Sequence, residues 1–131
     1  MNQDQKVQLV KFLYTYGYRT GSSVLGGSDF ASDIDILISR QELEFICFTL
    51  SIDIAKLRIR NYITTEVFSY KLVLTESEVL DVLITKDSII KDLWVATTKK
   101  YLELIDTSIP ISKCLRVSLF ETIKHELEPP F

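Results

Sequence analysis

Gly26, Gly27 and Ser28 stand just ahead of Asp33 and Asp35, and Asp81 lies further on inside a second apolar run. These residue types can hold a phosphate beside a metal ion. Glycines lacking a Cβ let backbone amides close on an anion, and serine adds a hydroxyl donor. In Asp33-Ile34-Asp35-Ile36-Leu37-Ile38 the strand alternation sends Ile34, Ile36 and Ile38 to one face and both carboxylates to the other. The two Cα atoms are then roughly 6.5 Å apart, close enough for both side chains to lean on one cation. Without a cation the pair repels itself.

Asp81 interrupts the strand-like run Val79-Leu80-Asp81-Val82-Leu83-Ile84. A run apolar on both faces reads as a central strand, where a lone carboxylate costs roughly several kcal/mol or is forced to protonate. Asp81 therefore needs a partner, either a cation or Lys71 on the preceding strand. Three carboxylates from two strands make a hard oxygen site suited to Mg²⁺ or Mn²⁺. Two such ions about 3.5–4 Å apart activate an attacking oxygen and stabilise a leaving pyrophosphate. Taken singly, a Gly-Gly-Ser turn or an Asp-x-Asp strand is commonplace; their succession, completed by a strand acid, is not.

Elements on either side must position these groups. Val7, Val10, Leu13 and Tyr14 predict a helix over 3–16, ended by Gly17 in a left-handed C′ turn. Ser22-Ser23-Val24-Leu25 reads as a short strand leading into the turn. Leu43, Ile46, Cys47, Leu50, Ile54 and Leu57 predict one amphipathic helix across 40–59. Phe68, Tyr70, Leu72 and Leu74 alternate as a strand, joined through Thr75-Glu76-Ser77-Glu78 to the Asp81 strand in an antiparallel hairpin. Asp87-Ser88 offers the N-cap of a helix to Ile105 that buries Ile90, Leu93, Trp94, Tyr101, Leu104 and Ile105. Ser112 caps a last helix patterned by Leu115, Leu119, Phe120, Ile123 and Leu127, stopped by Pro129-Pro130.

The 131 residues, 47% apolar and 25% charged, suit one α+β domain with a real core. The polar start Met1–Lys6 is no signal peptide, and no apolar run nears the ~20 residues of a membrane span, so a soluble, cytoplasmic protein is expected. Net charge is −3, and such a field favours a small metal-complexed substrate over a long nucleic acid. Cys47 and Cys114 read as small reduced core residues, His125 as a surface residue, and Trp94, Phe68 and Tyr70 as core. Ser22 and Ser23 have no base beside them in the sequence to make a nucleophile.

Gly27-Ser28 followed by Ser32-Asp33-Ile34-Asp35-Ile36-Leu37-Ile38 resembles the signature of the DNA polymerase beta-like nucleotidyltransferase superfamily, and the resemblance extends over roughly residues 5–85. It implies a nucleotidyltransferase-like core, a small mixed β-sheet with helices packed on it, with residues 1–131 forming a single domain. By the same resemblance Gly26, Gly27 and Ser28 hold nucleotide phosphates, Asp33 and Asp35 ligate Mg²⁺ or Mn²⁺, and Asp81 completes the metal site and assists deprotonation of an acceptor hydroxyl. The implied reaction moves a nucleoside monophosphate from a nucleoside triphosphate such as ATP to a hydroxyl of a small molecule or protein. Four residues separate Ser28 from Asp33, where most of the family has a longer segment, often with an arginine. Neither Arg40 nor Lys71 is assigned to that role. No large domain follows Asp81, so a second copy or a partner subunit is expected to complete the acceptor site. Two rival expectations stand beside this one. One is a non-catalytic, antitoxin-like module that binds a partner; the other is a plain α+β domain in which Lys71 simply satisfies Asp81.

Overall fold

Asn2 opens the first helix with a capping box: its side chain accepts from the Gln5 amide at 2.7 Å, and the Gln5 side chain accepts from the Asn2 amide at 3.0 Å. The computed structural model describes residues 1–21, 25, 34–61 and 66–128. Helix α1 spans Gln3–Tyr16 and buries Leu9 and Leu13. Gly17 ends it, though in extended backbone (φ −83°) rather than the expected left-handed turn. Glycine is needed there for space, because a Cβ would overlap the Ile36 side chain and the Leu13 carbonyl.

Strand β1 (Tyr18–Thr20) pairs antiparallel with β2 (Ile34–Ser39). Ser39 closes β2 and caps helix α2 (Arg40–Thr49), with Glu42 completing a second capping box. The single helix expected over 40–59 stops at Thr49. Ser51 takes a left-handed φ of 57°, and the Ile52 amide turns back to the Cys47 carbonyl at 2.8 Å. A 3₁₀ turn at Ile54–Lys56 follows. Leu50, Ile52, Ile54 and Leu57 still pack on the same core, so the apolar spacing records burial that no continuous helix carries.

Strands β3 (Arg60–Asn61), β4 (Val67–Val73) and β5 (Val79–Thr85) complete a five-stranded sheet in the order β1-β2-β5-β4-β3. The β4–β5 hairpin is antiparallel as expected, and β5 is central, pairing parallel with β2. Helix α3 (Ser88–Leu104) starts at its Asp87 cap, whose carboxylate accepts from the Ile90 amide at 2.9 Å. Helix α4 (Lys113–Leu127) starts at Ser112. The chain is thus α+β, a mixed open sheet with helices on it.

One face of the sheet carries Ile36, Ile38, Leu80, Val82 and Ile84 against α1 and α2. The other carries Leu37, Val67 and Leu83 against Trp94 and Tyr101 of α3 and Phe120 and Ile123 of α4. Burying a large aliphatic side chain is worth about 1.5–3 kcal/mol, so these two layers dominate what holds the sheet between helices. Lys91 ties the layers together, its ammonium lying 2.7 Å from Glu42 and 3.0 Å from the Tyr16 carbonyl.

Several expected details differ. The inward stripe of α4 is Arg116, Phe120, Ile123 and Lys124, which leaves Leu115 and Leu127 exposed. Cys114 is likewise exposed rather than core, whereas Cys47 is buried. On α3, Thr97 and Thr98 take inward places and Leu104 faces out. Leu25, expected in a strand, sits in a helical turn with its amide bonded to the Gly21 carbonyl at 2.8 Å; the remainder of that strand, and Pro129-Pro130, lie outside the described residues. Trp94 is core, and His125 is at the surface. Among the described residues no helix is long and apolar enough to cross a membrane.

Candidate functional site

Because β2 and β5 run parallel, Asp35 and Asp81 fall directly side by side. The register extends the row outward, to Thr20 on β1 next to Asp35 and to Lys71 on β4 next to Asp81. Strand spacing sets the two acids about 4.8 Å apart at the backbone, and side chains paired across neighbouring strands share a face. The row therefore lies on the α3–α4 side, one step beyond Leu37 and Leu83. Like charges held laterally in a sheet repel, so the fold holds Asp35 and Asp81 together at a cost.

Lys71 lies 3.4 Å from Asp81. This is the contact that the plain structural expectation required. The ammonium side chain is 68% exposed while the Asp81 side chain is 18% exposed, so water screens the attraction to the level of a surface ion pair, about 1 kcal/mol or less.

Gly21 closes the row at the other end. Its φ is +75°, and a Cβ there would overlap the Asp35 carboxylate. Thr20 is fixed by a hydroxyl–hydroxyl hydrogen bond of 3.0 Å to Thr98 of α3. Backbone thus approaches Asp35 closely from β1, a constraint that a single glycine in the sequence does not announce.

Asp35 and Asp81 open onto a cavity of about 540 Å³, whose wall also includes Lys71, Trp94, Lys113, Arg116 and Phe120. Arg116 is buried in the first turns of α4. Its guanidinium partly offsets the burial that pushes the phenol of Tyr101 above its ordinary range. The cavity therefore combines three carboxylates, Asp35, Asp81 and Glu121, with cationic and aromatic groups. Lys113 and Arg116 escaped the sequence reading, although Arg116 falls on the inward stripe with Phe120 and Ile123, and a cation on an apolar stripe is the signal that points to it.

Of the residues expected at the site, Asp35 and Asp81 come together, while Gly26, Gly27, Ser28 and Asp33 lie outside the described residues. Among the described residues no group of three or more His, Cys, Asp or Glu side chains assembles to hold a metal; those residues supply the Asp35–Asp81 pair. Two adjacent carboxylates on an open wall are the hard oxygen donors that Mg²⁺ or Mn²⁺ takes, with water filling the remaining positions, so this part of the donor set fits such an ion. A scan against protein-family models and searches of curated proteins and of solved structures give no match to this chain.

Proposed function

We propose that the chain is a metal-dependent nucleotidyltransferase, moving a nucleoside monophosphate from a nucleoside triphosphate to a hydroxyl of a small molecule or protein and releasing pyrophosphate. The observation that carries the reading is the in-register Asp35–Asp81 pair on adjacent parallel strands, opening onto a cavity that also holds Lys113 and Arg116. A bound divalent ion supplies Lewis-acid stabilisation of the transferring phosphoryl group. The chain's own residues do the remainder. Asp35 and Asp81, with Asp33 two residues before Asp35, would hold the ion, and Asp81 would accept the proton of the acceptor hydroxyl. Gly26, Gly27 and Ser28 contact phosphate. Arg116 and Lys113 balance triphosphate charge from α4, the role for which the sequence offered no cation. Trp94 and Phe120 give the cavity an apolar side beside its charged groups. A cytoplasmic setting, where triphosphates and magnesium are plentiful, belongs to this reading.

A second reading rests on helix α2, where Phe48 is 86% exposed and Phe45, one turn away, is 58% exposed. Large aromatics open to water on one helix suit a partner-binding, antitoxin-like subunit. Two measurements separate the readings. Titration calorimetry with nucleoside triphosphates in Mg²⁺ or Mn²⁺ tests the first: saturable, metal-dependent binding is expected, and the absence of heat with every triphosphate contradicts it. For the second, a mass in solution above that of one chain that falls to one chain in Phe45→Ser/Phe48→Ser is the supporting result.

A further inference from the structure

The overall charge of −3 conceals a local reversal. A groove of about 450 Å³, distinct from the acid-bearing cavity, is lined by Lys6, Lys56, Arg58, Arg60 and Lys71, and no aspartate or glutamate lines it among the described residues. It takes five of the chain's 15 basic residues. Lys71 already meets Asp81 at 3.4 Å, but like charges along one groove repel in the free protein, and a polyanion relieves that repulsion.

We propose that this groove binds a single-stranded phosphodiester chain. Three observations favour that ligand. Arg58 and Arg60 stand two residues apart where the chain turns into β3, the Ile59 amide donating to the Leu57 carbonyl at 2.9 Å, so one short stretch carries two cations on the groove wall. Tyr70 packs partly on the core and also lines this groove, leaving part of its surface open to a base. Cations interleaved with an aromatic ring are what sequence-independent binding of single strands uses, the charges following the backbone and the ring taking a base. Finally, Ser69 and Lys71 line both this groove and the acid-bearing cavity, so a strand in the groove runs to the mouth of the cleft that holds Asp81. The site stands on its own charge pattern and does not require the nucleotidyl-transfer reading.

The test is fluorescence anisotropy of the full chain with a labelled deoxythymidine decamer and, separately, its ribouridine counterpart. Binding of either supports the proposal, and the preferred one identifies the source of the strand. With about four phosphates neutralised, affinity falls with a log–log salt slope near −3, or about 50-fold between 50 and 200 mM salt. Lys56→Glu/Arg58→Glu/Arg60→Glu is expected to weaken binding about 100-fold, and the gentler Arg58→Gln/Arg60→Gln about tenfold. All three positions are exposed, and an unchanged melting temperature confirms an intact fold. Asp35→Asn/Asp81→Asn, which removes the acids of the proposed metal site, retains strand binding, so failure of either reading is seen separately. No binding of either decamer at 50 mM salt, equal affinity in the neutralised and reversed variants, or tighter binding of a polyglutamate peptide overturns the proposal.

Discussion

Asp35 and Asp81 are register partners on adjacent parallel strands, two half-buried carboxylates at the same level of the sheet. Leu37 and Leu83, the next pair along the same face, show what an ordinary core would place in those positions. The acid pair is thus the point at which the local sequence departs from what stability alone selects, and such departures concentrate at functional sites.

Gly21 should be the least replaceable residue beside that pair. Gly21→Ala adds a side chain at φ +75° and drives it into the Asp35 carboxylate. The left-handed backbone alone costs about 1–2 kcal/mol, and displacement of Asp35 adds to it. Urea denaturation is expected to show a lower midpoint with an unchanged slope.

Glu42 gives the fold an acid-sensitive tie. Burial raises its carboxyl pKa, but the Lys91 hydrogen bond, the Ser39 amide and hydroxyl, and the Lys91 charge together outweigh burial and hold it below its ordinary value of 4.5. A depressed carboxylate contributes stability above its unfolded value and loses it as pH falls through the folded one. Stability is therefore expected to decline as pH drops below about 4.5. Glu42→Gln should cost about 1 kcal/mol at pH 7, the contact being partly exposed, and should flatten that acid limb when melting temperature is followed against pH.

Tyr101 is fully buried, and its hydroxyl has no hydrogen-bond partner among the described residues. Tyr101→Phe removes a desolvated polar group without opening a large cavity. It is expected to leave stability unchanged or raise it by about 1 kcal/mol, where a hidden hydrogen bond would instead produce a loss of similar size.

Much of this was legible in the sequence, for local reasons. Asn2, Ser39, Asp87 and Ser112 each act as an N-cap, a role carried by one residue and the amides just after it. Asp87 and Ser112 were anticipated; Asn2 and Ser39 were not, Ser39 because it ends a strand and begins a helix in a single residue. Asp81 stood out by interrupting an apolar run, and it does lie on the central strand. What the sequence hid was non-local. Periodicity does not encode that β2 and β5 are parallel neighbours, so the meeting of Asp35 with Asp81 was expected only through the family resemblance. Arg116 reaches the same cavity only because α4 packs beside α3. The break after Thr49 was invisible because apolar spacing continues through it, and Ser51 is not a residue whose type announces a left-handed turn.

The most direct test of the central claim is calorimetric titration of a nucleoside triphosphate, with and without Mg²⁺, into the wild-type chain and into Asp35→Asn/Asp81→Asn. The account predicts metal-dependent binding to the wild type and its loss, by at least about 100-fold in affinity, in a variant that is still folded and has shed the repulsion between its two acids. Equal, metal-independent affinity in both proteins would contradict it.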